Sequence, residues 1–361
     1  MLFLVSESAA EKLHLAPLPA FVVRAFSRLL GSVVDGTHVV LIEPSTARLI
    51  EQLPDFSMVD KAAAKYIRNR YADYGSLPTK VSRYARVVGE GDKPQREGST
   101  WVIPLRWIAE TSVIQTRCIG EDLNDTRALT AAAGDHLEQA GLRAFRVNLH
   151  PVHGGGGRTP DVFRHEAIEA RHICVCVVDS DRTYPGGPTG SVAEACASVT
   201  GDGIYELALT SGRSIENSLP WRLVDLVRTN EVEQPSARML GLHHVDPGCP
   251  QFLELKVGLK GFHVRAPEPG RTYWLGIAAA VGANATCCAG PCAAESSGVC
   301  QHWILRGYGS SLLADAAEWL RARVGIRNRY TSYLPSPNGS DWQRLGALLG
   351  EYSLACMPQR L

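Results

Sequence analysis

The sequence predicts an α/β protein with a parallel sheet, and three observations carry this prediction. Strand-like and helix-like segments alternate between about residues 113 and 228, the strand-like segments are apolar runs, and acidic residues follow where these runs end. Alternation of strands and helices is typical of a parallel sheet that helices cover on both faces. In such sheets functional groups gather at the carboxyl ends of the strands. The acidic residues at those ends are therefore the first candidates for a functional site.

The elements of this alternating block follow from hydrophobic periodicity. Strands are predicted at 113–119, 144–149, 173–178 and 204–209, and helices at 123–140, 161–170, 192–199 and 215–228. Each strand is thus followed by a helix, which is the arrangement that a crossover between parallel strands requires.

The region before the block, 1–112, is predicted to be an α/β region of unknown role. It contains a strand at 38–42, a helix that Ser45 caps and a helix at 61–74. The stretch 89–99 has three glycines and charges of both signs. We expect an exposed loop there, close to a domain boundary.

The region after the block is predicted to be loop-rich over 230–269, where His243 and His244 lie in a surface loop. Helices are predicted at 310–324 and 341–355. The predicted domains are 1–112, 113–260 and 261–361.

Composition and charge narrow the classes of function. The chain has 361 residues, 45% of them apolar and 20% charged, which is typical of a globular protein with two or three domains. Basic and acidic residues number 37 each, so the formal net charge of zero gives no global argument for nucleic acid binding. No apolar run approaches the roughly 18 residues of a membrane span, and the first residues lack the features of a secretion signal. We therefore expect a cytoplasmic protein without a membrane partner.

Acidic residues follow three of the predicted strands. Asp179 and Asp181 end the third strand, and because side chains alternate along a strand we expect both on one side, near enough to share a divalent cation. A polar turn with the Pro-Gly-Gly that follows is the alternative. Glu121 and Asp125 follow the first strand, and Glu216 follows the fourth. Carboxylates without histidine or cysteine suit magnesium or manganese better than zinc.

Together these motifs resemble a Toprim domain. The resemblance rests on three segments in order, namely Glu121-x-x-x-Asp125, Asp179-x-Asp181 and Arg213-x-x-Glu216-Asn217. The chain is most similar to the Toprim nucleases of the overcoming-lysogenization-defect type and to related prokaryotic phage-defence effectors, in which an Arg-x-Ile-Glu-Asn-x-Leu segment recurs. The resemblance covers about residues 113–260. Asp122 stands where the family usually has a glycine.

The resemblance implies hydrolysis of phosphodiesters in DNA or RNA, tRNA included, with one or two Mg²⁺ or Mn²⁺ ions. The metal ligands that it implies are Glu121, Asp179, Asp181 and Glu216, and Asp125 belongs to the same catalytic group. Glu121 is alternatively the general base. Arg213 or Lys256 would stabilise the negative charge of the transition state, and Lys256 corresponds by position to a lysine late in the family's domain. The resemblance further implies a toxic effector that a separate ATPase or sensor protein controls; a homo-oligomer is left open.

Four consecutive glycines, Gly154 to Gly157, follow the second strand and precede Arg158. Glycine lets backbone N–H groups approach an anion closely, and Arg158 would hold a phosphate. Gly155, Gly156 and Arg158 are therefore predicted to bind substrate, with His153 as an alternative proton carrier. A plain flexible loop is the other interpretation, because the sequence lacks a Walker pattern.

Cysteines crowd into a segment of the C-terminal region. Cys287 or Cys288, with Cys292, Cys300 and His302, would supply four ligands for a structural zinc ion, and unligated thiols in a loop are the alternative. The C-terminal region is thus predicted to be helical, and zinc would stabilise it in the first of these two interpretations.

Three hypotheses of function remain after these arguments. The first is a metal-dependent Toprim nuclease acting in antiviral defence. The second is a non-catalytic subunit that binds nucleic acid or serves as a scaffold, with a degenerate Toprim site. The third is an α/β phosphatase or phosphotransferase that uses Asp179. Substrate size separates the first from the third, because a phosphatase acts on small phosphoesters and a nuclease needs a polymer.

Overall fold

The computed structural model describes residues 1–111, 115–169, 171–231, 233–260, 269–282, 303–322 and 337–359. The chain divides into two compact units. Unit 1 comprises Met1–Cys176, Ser198–Leu207 and Leu345–Leu361, and unit 2 comprises Val177–Ala197 and Ala208–Arg344. The division into domains at 1–112, 113–260 and 261–361 stays a prediction.

A five-stranded sheet in unit 1 has the order β2-β1-β3-β5-β4. Its strands are β1 Leu2–Val5, β2 Val39–Leu41, β3 Ala85–Val88, β4 Gln95–Glu97 and β5 Thr100–Pro104. The accompanying helices are α1 Glu7–Glu11, α2 Ala20–Val34, α3 Pro44–Gln52, α4 Met58–Tyr74 and α5 Leu105–Glu110. Neighbouring strands pair in parallel except β4, which pairs antiparallel with β5 and exposes all three of its residues. Part of the predicted exposed loop is therefore an edge strand.

A four-stranded sheet has the order β10-β9-β6-β8. Its strands are β6 Thr116–Gly120, β8 Leu149–His153, β9 Cys174–Val178 and β10 Tyr205–Leu209. The connecting helices are α6 Leu123–Gln139, α7 Thr159–Arg164, which continues as a π-helical turn over His165–Glu169, and α8 Ser191–Ala197. Strand β6 pairs in parallel with both β8 and β9. The predicted mixed α/β class with parallel strands is confirmed.

The remaining elements complete the described part of the chain. The helices are α9 Ile215–Ser218, α10 Trp221–Val227, α11 Pro235–Val245, α12 Cys249–Phe252, α13 Gly270–Ala280, α14 Leu312–Ala322 and α15 Pro337–Ser353. Two antiparallel pairs join β7 Arg146–Val147 to β13 Leu354–Ala355 and β11 Gly258–Lys260 to β12 Trp303–Arg306. None of the helices in these described ranges is long and apolar enough to cross a membrane.

Three predicted details are wrong, and proline explains each of them. The helix predicted at 215–228 is interrupted before α10 at Pro220, because the residue before a proline disfavours helical backbone. Ser45 does not cap α3, since that helix begins one residue earlier with Pro44, a residue favoured at a first helical position. The predicted surface loop that holds His243 and His244 is the last turn of α11, which also begins with proline.

The core of unit 1 is built from the apolar strands. Leu2, Val39 and Leu41 of the five-stranded sheet form one buried cluster with Leu137 of α6 and Leu354 of β13. Cys118, Cys174 and Cys176, in the apolar strands of the other sheet, are buried and form no disulfide bond, and burial raises the pKa of Cys118 to about 12. These thiols act as core side chains.

A buried polar network in unit 1 centres on Tyr352 of α15. The Trp101 Nε1–H donates to the Tyr352 hydroxyl at 2.7 Å, and that hydroxyl donates to Glu206 at 2.9 Å. Glu206 also lies 3.4 Å from the Arg83 guanidinium and 3.2 Å from that of Arg96. Burial and the neighbouring Glu206 charge raise the pKa of Tyr352, so the phenol remains a donor at neutral pH.

We expect Tyr352→Phe to lower the free energy of unfolding by about 2 kcal/mol, because a buried indole N–H loses its acceptor and Glu206 loses a donor. Urea unfolding measures the loss. Tyr205→Phe is the matched control, since the Tyr205 hydroxyl hydrogen-bonds the exposed Gly201 backbone, and its cost should stay within about 0.5 kcal/mol. Equal losses in the two variants would contradict the role of the network.

Candidate active site

The first two candidate carboxylates of unit 2 follow β9. The strand ends at Val178, before Asp179, so the alternation of side chains that we expected to align Asp179 with Asp181 does not extend to them. Hydrogen bonds place them instead. The Ile215 N–H donates to Asp179 Oδ1 at 2.8 Å, and the Asp181 N–H donates to the Arg213 carbonyl at 2.9 Å. Both aspartates are therefore connected to the segment that carries Arg213 and Glu216.

Ser180, between the two aspartates, is completely buried. Its N–H donates to Thr210 Oγ1 at 2.9 Å, its hydroxyl donates to the Gly212 carbonyl at 2.5 Å, and its carbonyl accepts from the Gly190 N–H at 2.9 Å. Every polar group of this residue thus has a partner. Ser180 fixes the backbone from which the two carboxylates extend.

Asp181 has a backbone φ of 54°, in the left-handed region that aspartate tolerates better than most residues. Its carboxylate lies against Gly190, where an added Cβ atom would come within 2.4 Å of Asp181 Oδ2. Glycine at this position therefore leaves room for the carboxylate.

The residues 211–218, which we call the 211–218 segment, form a turn followed by α9. Asn217 fixes this turn, because its Oδ1 accepts from the Ser214 N–H at 3.1 Å and its Nδ2 donates to the carbonyls of Pro250 and Leu253 at 2.9 and 2.8 Å. The Asn217 side chain is buried. The asparagine of the predicted motif is thus a structural residue that ties α9 to α12.

Arg213 is paired within unit 2. Its guanidinium lies 2.8 Å from the Glu254 carboxylate, and the exposed fractions of the two side chains are 22% and 18%. The neighbouring Gly212 packs so closely that a Cβ atom would lie 2.4 Å from the Gln251 carbonyl oxygen. Sequence reasoning missed Glu254, because a single glutamate in a turn carries no motif.

Glu216 forms an ion pair with Lys256. The Lys256 Nζ lies 2.9 Å from Glu216 Oε1, and the Glu216 side chain is only 2% exposed. Burial alone would lower the pKa of Lys256, but the charge and hydrogen bond of Glu216, together with the charges of Asp179 and Glu254, raise it above its ordinary value. Lys256 is therefore protonated at neutral pH, in the field of three carboxylates.

Asp341 of α15 is a buried residue that sequence reasoning also missed. Its carboxylate accepts from the Ser211 N–H at 3.0 Å, from the Ser211 hydroxyl at 2.7 Å and from the Ser218 hydroxyl at 2.5 Å. The Arg344 guanidinium lies 2.7 Å away. No local signal could have identified it, because its serine partners lie more than a hundred residues earlier in the chain.

In unit 1, Glu121 follows β6, as predicted, and the glycine-rich loop lies against its backbone. The N–H groups of Gly155 and Gly156 both donate to the Glu121 carbonyl at 3.2 Å, and the Gly154 N–H donates to the Gly120 carbonyl at 2.8 Å. The loop therefore holds the backbone that leads to Glu121. Phosphate binding by Gly155, Gly156 and the exposed Arg158 stays a prediction.

Asp125 has a structural role at the start of α6. Asp122 caps this helix, and the Asp122 N–H donates back to the Asp125 carboxylate at 2.7 Å in a capping box. Asp122 also lies 3.7 Å from the exposed His153 imidazole. Asp122 and Asp125, which follow β6, thus stabilise the start of α6.

The predicted residues fall into two groups. Unit 2 brings together Asp179, Asp181, Arg213, Glu216 and Lys256, and unit 1 brings together Glu121, Asp125, Gly155 and Gly156. No family model, curated protein or solved structure matches this chain.

Metal ligation is the remaining property of the predicted site. Within the described ranges, no group of three or more His, Cys, Asp or Glu side chains is placed to hold a metal ion. Metal binding by Glu121, Asp179, Asp181 and Glu216 stays a prediction. The predicted zinc ligands, Cys287 or Cys288, Cys292, Cys300 and His302, lie outside the described residues.

Proposed function

We propose that this protein is a metal-dependent nuclease with a Toprim-like catalytic domain, which hydrolyses phosphodiesters of DNA or RNA. Its biological role in this proposal is that of an antiviral effector, controlled by a separate ATPase or sensor protein. The observation that carries the proposal is the arrangement in unit 2, where the aspartates that follow β9 are hydrogen-bonded to a segment that presents Arg213 and Glu216, with Lys256 beside Glu216.

The donor set fits Mg²⁺ or Mn²⁺. Mg²⁺ usually keeps several waters and is bound through one or two carboxylates together with substrate phosphates, so it does not need a protein cage. Asp179 and Asp181 supply such carboxylates, and the exposed Asp181 side chain is accessible to a polymer. We assign the metal to these two residues first, with Glu216 of the same unit as a further ligand. When bound, the metal activates water and neutralises charge on the leaving oxygen.

Two side chains of the protein, Lys256 and Arg213, provide positive charge at defined positions. Lys256 keeps its proton at neutral pH, because the surrounding carboxylates raise its pKa. It therefore offers a fixed cation to a phosphate that gains negative charge in the transition state. Arg213 is held by Glu254 at 2.8 Å, which limits its rotamers and orients its remaining N–H groups.

The experiment is a cleavage assay with purified full-length protein. Supercoiled plasmid DNA, total tRNA and p-nitrophenyl phosphate are incubated separately with Mg²⁺, Mn²⁺ or EDTA, beside an Asp179→Ala/Asp181→Ala variant. We expect cleavage of one polymer in Mg²⁺ or Mn²⁺, none in EDTA and none by the variant, because removing the metal or its carboxylates removes the source of activated water.

The other outcomes separate the hypotheses. Hydrolysis of p-nitrophenyl phosphate without polymer cleavage would favour a phosphatase. Binding of a polymer without cleavage, unchanged in the double variant, would favour the non-catalytic subunit. Cleavage that persists in EDTA would contradict the metal-dependent proposal.

A further inference from the structure

Asp341 contacts both ends of the 211–218 segment. Its carboxylate accepts hydrogen bonds from the backbone and hydroxyl of Ser211, at the beginning of the segment, and from the hydroxyl of Ser218, at its end. Arg213 and Glu216 lie between these two points. A single carboxylate thus spans the part of the chain that presents two candidate catalytic residues.

Because Asp341 is buried, its carboxylate depends on these hydrogen bonds. The residue is only 4% exposed, and a buried carboxylate is costly unless donors surround it. Three of its donors belong to the segment and a fourth is Arg344, which also donates to the Leu209 carbonyl at the end of β10, at 2.6 Å. A change in the conformation of the 211–218 segment would take these donors away from the Asp341 carboxylate. Asp341 and Arg344 of α15 therefore favour one conformation of the segment.

The segment in turn holds Asp179. The Ile215 N–H, midway between Ser211 and Ser218, donates to Asp179 Oδ1. Displacement of the segment would therefore remove a hydrogen bond from a candidate metal ligand as well as moving Arg213 and Glu216. Asp341 is thus connected to the candidate reacting groups through the residues it holds.

We propose that Asp341 is a positioning residue for the active site, which sets the conformation of the 211–218 segment and through it the position of Asp179. This inference rests on the proposed nuclease function for its consequence in catalysis. Its structural part, the control of the Ile215 hydrogen bond, is independent of any activity.

The experiment compares full-length Asp341→Asn and Ser218→Ala with the wild type by hydrogen exchange and by cleavage kinetics. Asparagine has the shape of aspartate but replaces one acceptor oxygen by an N–H₂ group, so at least one donor loses its partner. We expect amide exchange in a peptide spanning Ile215 to accelerate about tenfold in Asp341→Asn, with protection of β9 retained. We expect kcat to fall between about 10- and 100-fold with KM nearly unchanged, because misplacement of reacting groups lowers the rate while substrate binding continues.

Asp225→Asn is the matched control. Asp225 is another buried carboxylate of unit 2, and it accepts from the Ser236 N–H at 2.8 Å and from the Ser236 hydroxyl at 2.6 Å. Its partners Ser236 and Arg222 lie outside the 211–218 segment, so the variant loses similar bonds elsewhere in the unit. We expect this variant to leave both the Ile215 exchange and kcat at wild-type values.

Unchanged exchange at Ile215 in Asp341→Asn, or equal acceleration in Asp225→Asn, would overturn the proposal. If Asp341→Asn fails to fold, Ser218→Ala decides, because it removes one donor and leaves the buried carboxylate its other partners. A wild-type protein without cleavage activity would count against the proposed function alone, since the exchange measurement still tests the positioning of the segment.

Discussion

Asp179→Asn is expected to lower the rate of the proposed metal-dependent cleavage about 1000-fold without unfolding the protein. Asparagine retains a carbonyl oxygen that can accept from the Ile215 N–H, so the hydrogen bond to the 211–218 segment persists. The substitution removes the negative charge, and a neutral amide is a weaker ligand for Mg²⁺ than a carboxylate. The loss should therefore appear in the metal concentration that activity requires as well as in the maximal rate.

The measurement is the initial cleavage rate of the preferred polymer over a range of Mg²⁺ concentrations. Asp202→Asn is the control, because Asp202 is an exposed carboxylate that pairs with Lys93 at 2.6 Å on the surface of unit 1. We expect this variant to cleave at the wild-type rate. A rate within threefold of wild type for Asp179→Asn at saturating Mg²⁺ would remove Asp179 from the catalytic group.

Lys256→Met is expected to lower the free energy of unfolding by roughly 3 kcal/mol. The cause is the partner that remains, because Glu216 is 2% exposed and would keep a buried charge without its cation. Methionine fills most of the volume of the lysine stem, so the loss of charge is the main change. Chemical denaturation of each variant measures the effect.

Glu216→Gln provides the rescue for this prediction. In the double variant Lys256→Met/Glu216→Gln no charge is left unpaired, and we expect most of the lost stability to return. If the stability of the double variant does not return, the aliphatic stem of Lys256, and not its charge, stabilises unit 2.

The pH dependence of this pair has a definite sign. The folded-state pKa of Lys256 is raised, so the pair's contribution is complete below the ordinary lysine pKa and is lost as the pH rises through the folded value. The free energy of unfolding of the wild type should therefore exceed that of Lys256→Met up to about pH 10, and this difference should be lost only above that pH. A loss of that advantage between pH 6 and 9 would contradict the assignment.

The parallel block could be predicted from sequence because its signals are local. The apolar run 173–178 predicts the buried strand β9, and the position of Glu121 after a strand follows from the same alternation. The predictions that are wrong concern segments in which the sequence signals favour different structures. Proline marked a loop in the pattern over 230–269, whereas in the structure it begins α11.

The partners of the candidate site could not be predicted, since they depend on contacts between distant parts of the chain. The resemblance to Toprim domains indicates Lys256, but the contact of Lys256 with Glu216 requires the turn after α12 to approach α9. Asp341 had no motif at all. The position of Asp181 depends on a left-handed backbone that periodicity cannot reveal.

The burial of Ser180 restricts what can stand between the two aspartates. The Ser180 side chain is completely buried, so a larger side chain would not fit there. Its hydroxyl donates to a specific acceptor, the Gly212 carbonyl. A motif written with a wildcard at the middle position is therefore too permissive for this chain. Searches for other proteins that use the same arrangement should require a small hydroxyl residue there, together with a glycine at the position that corresponds to Gly212.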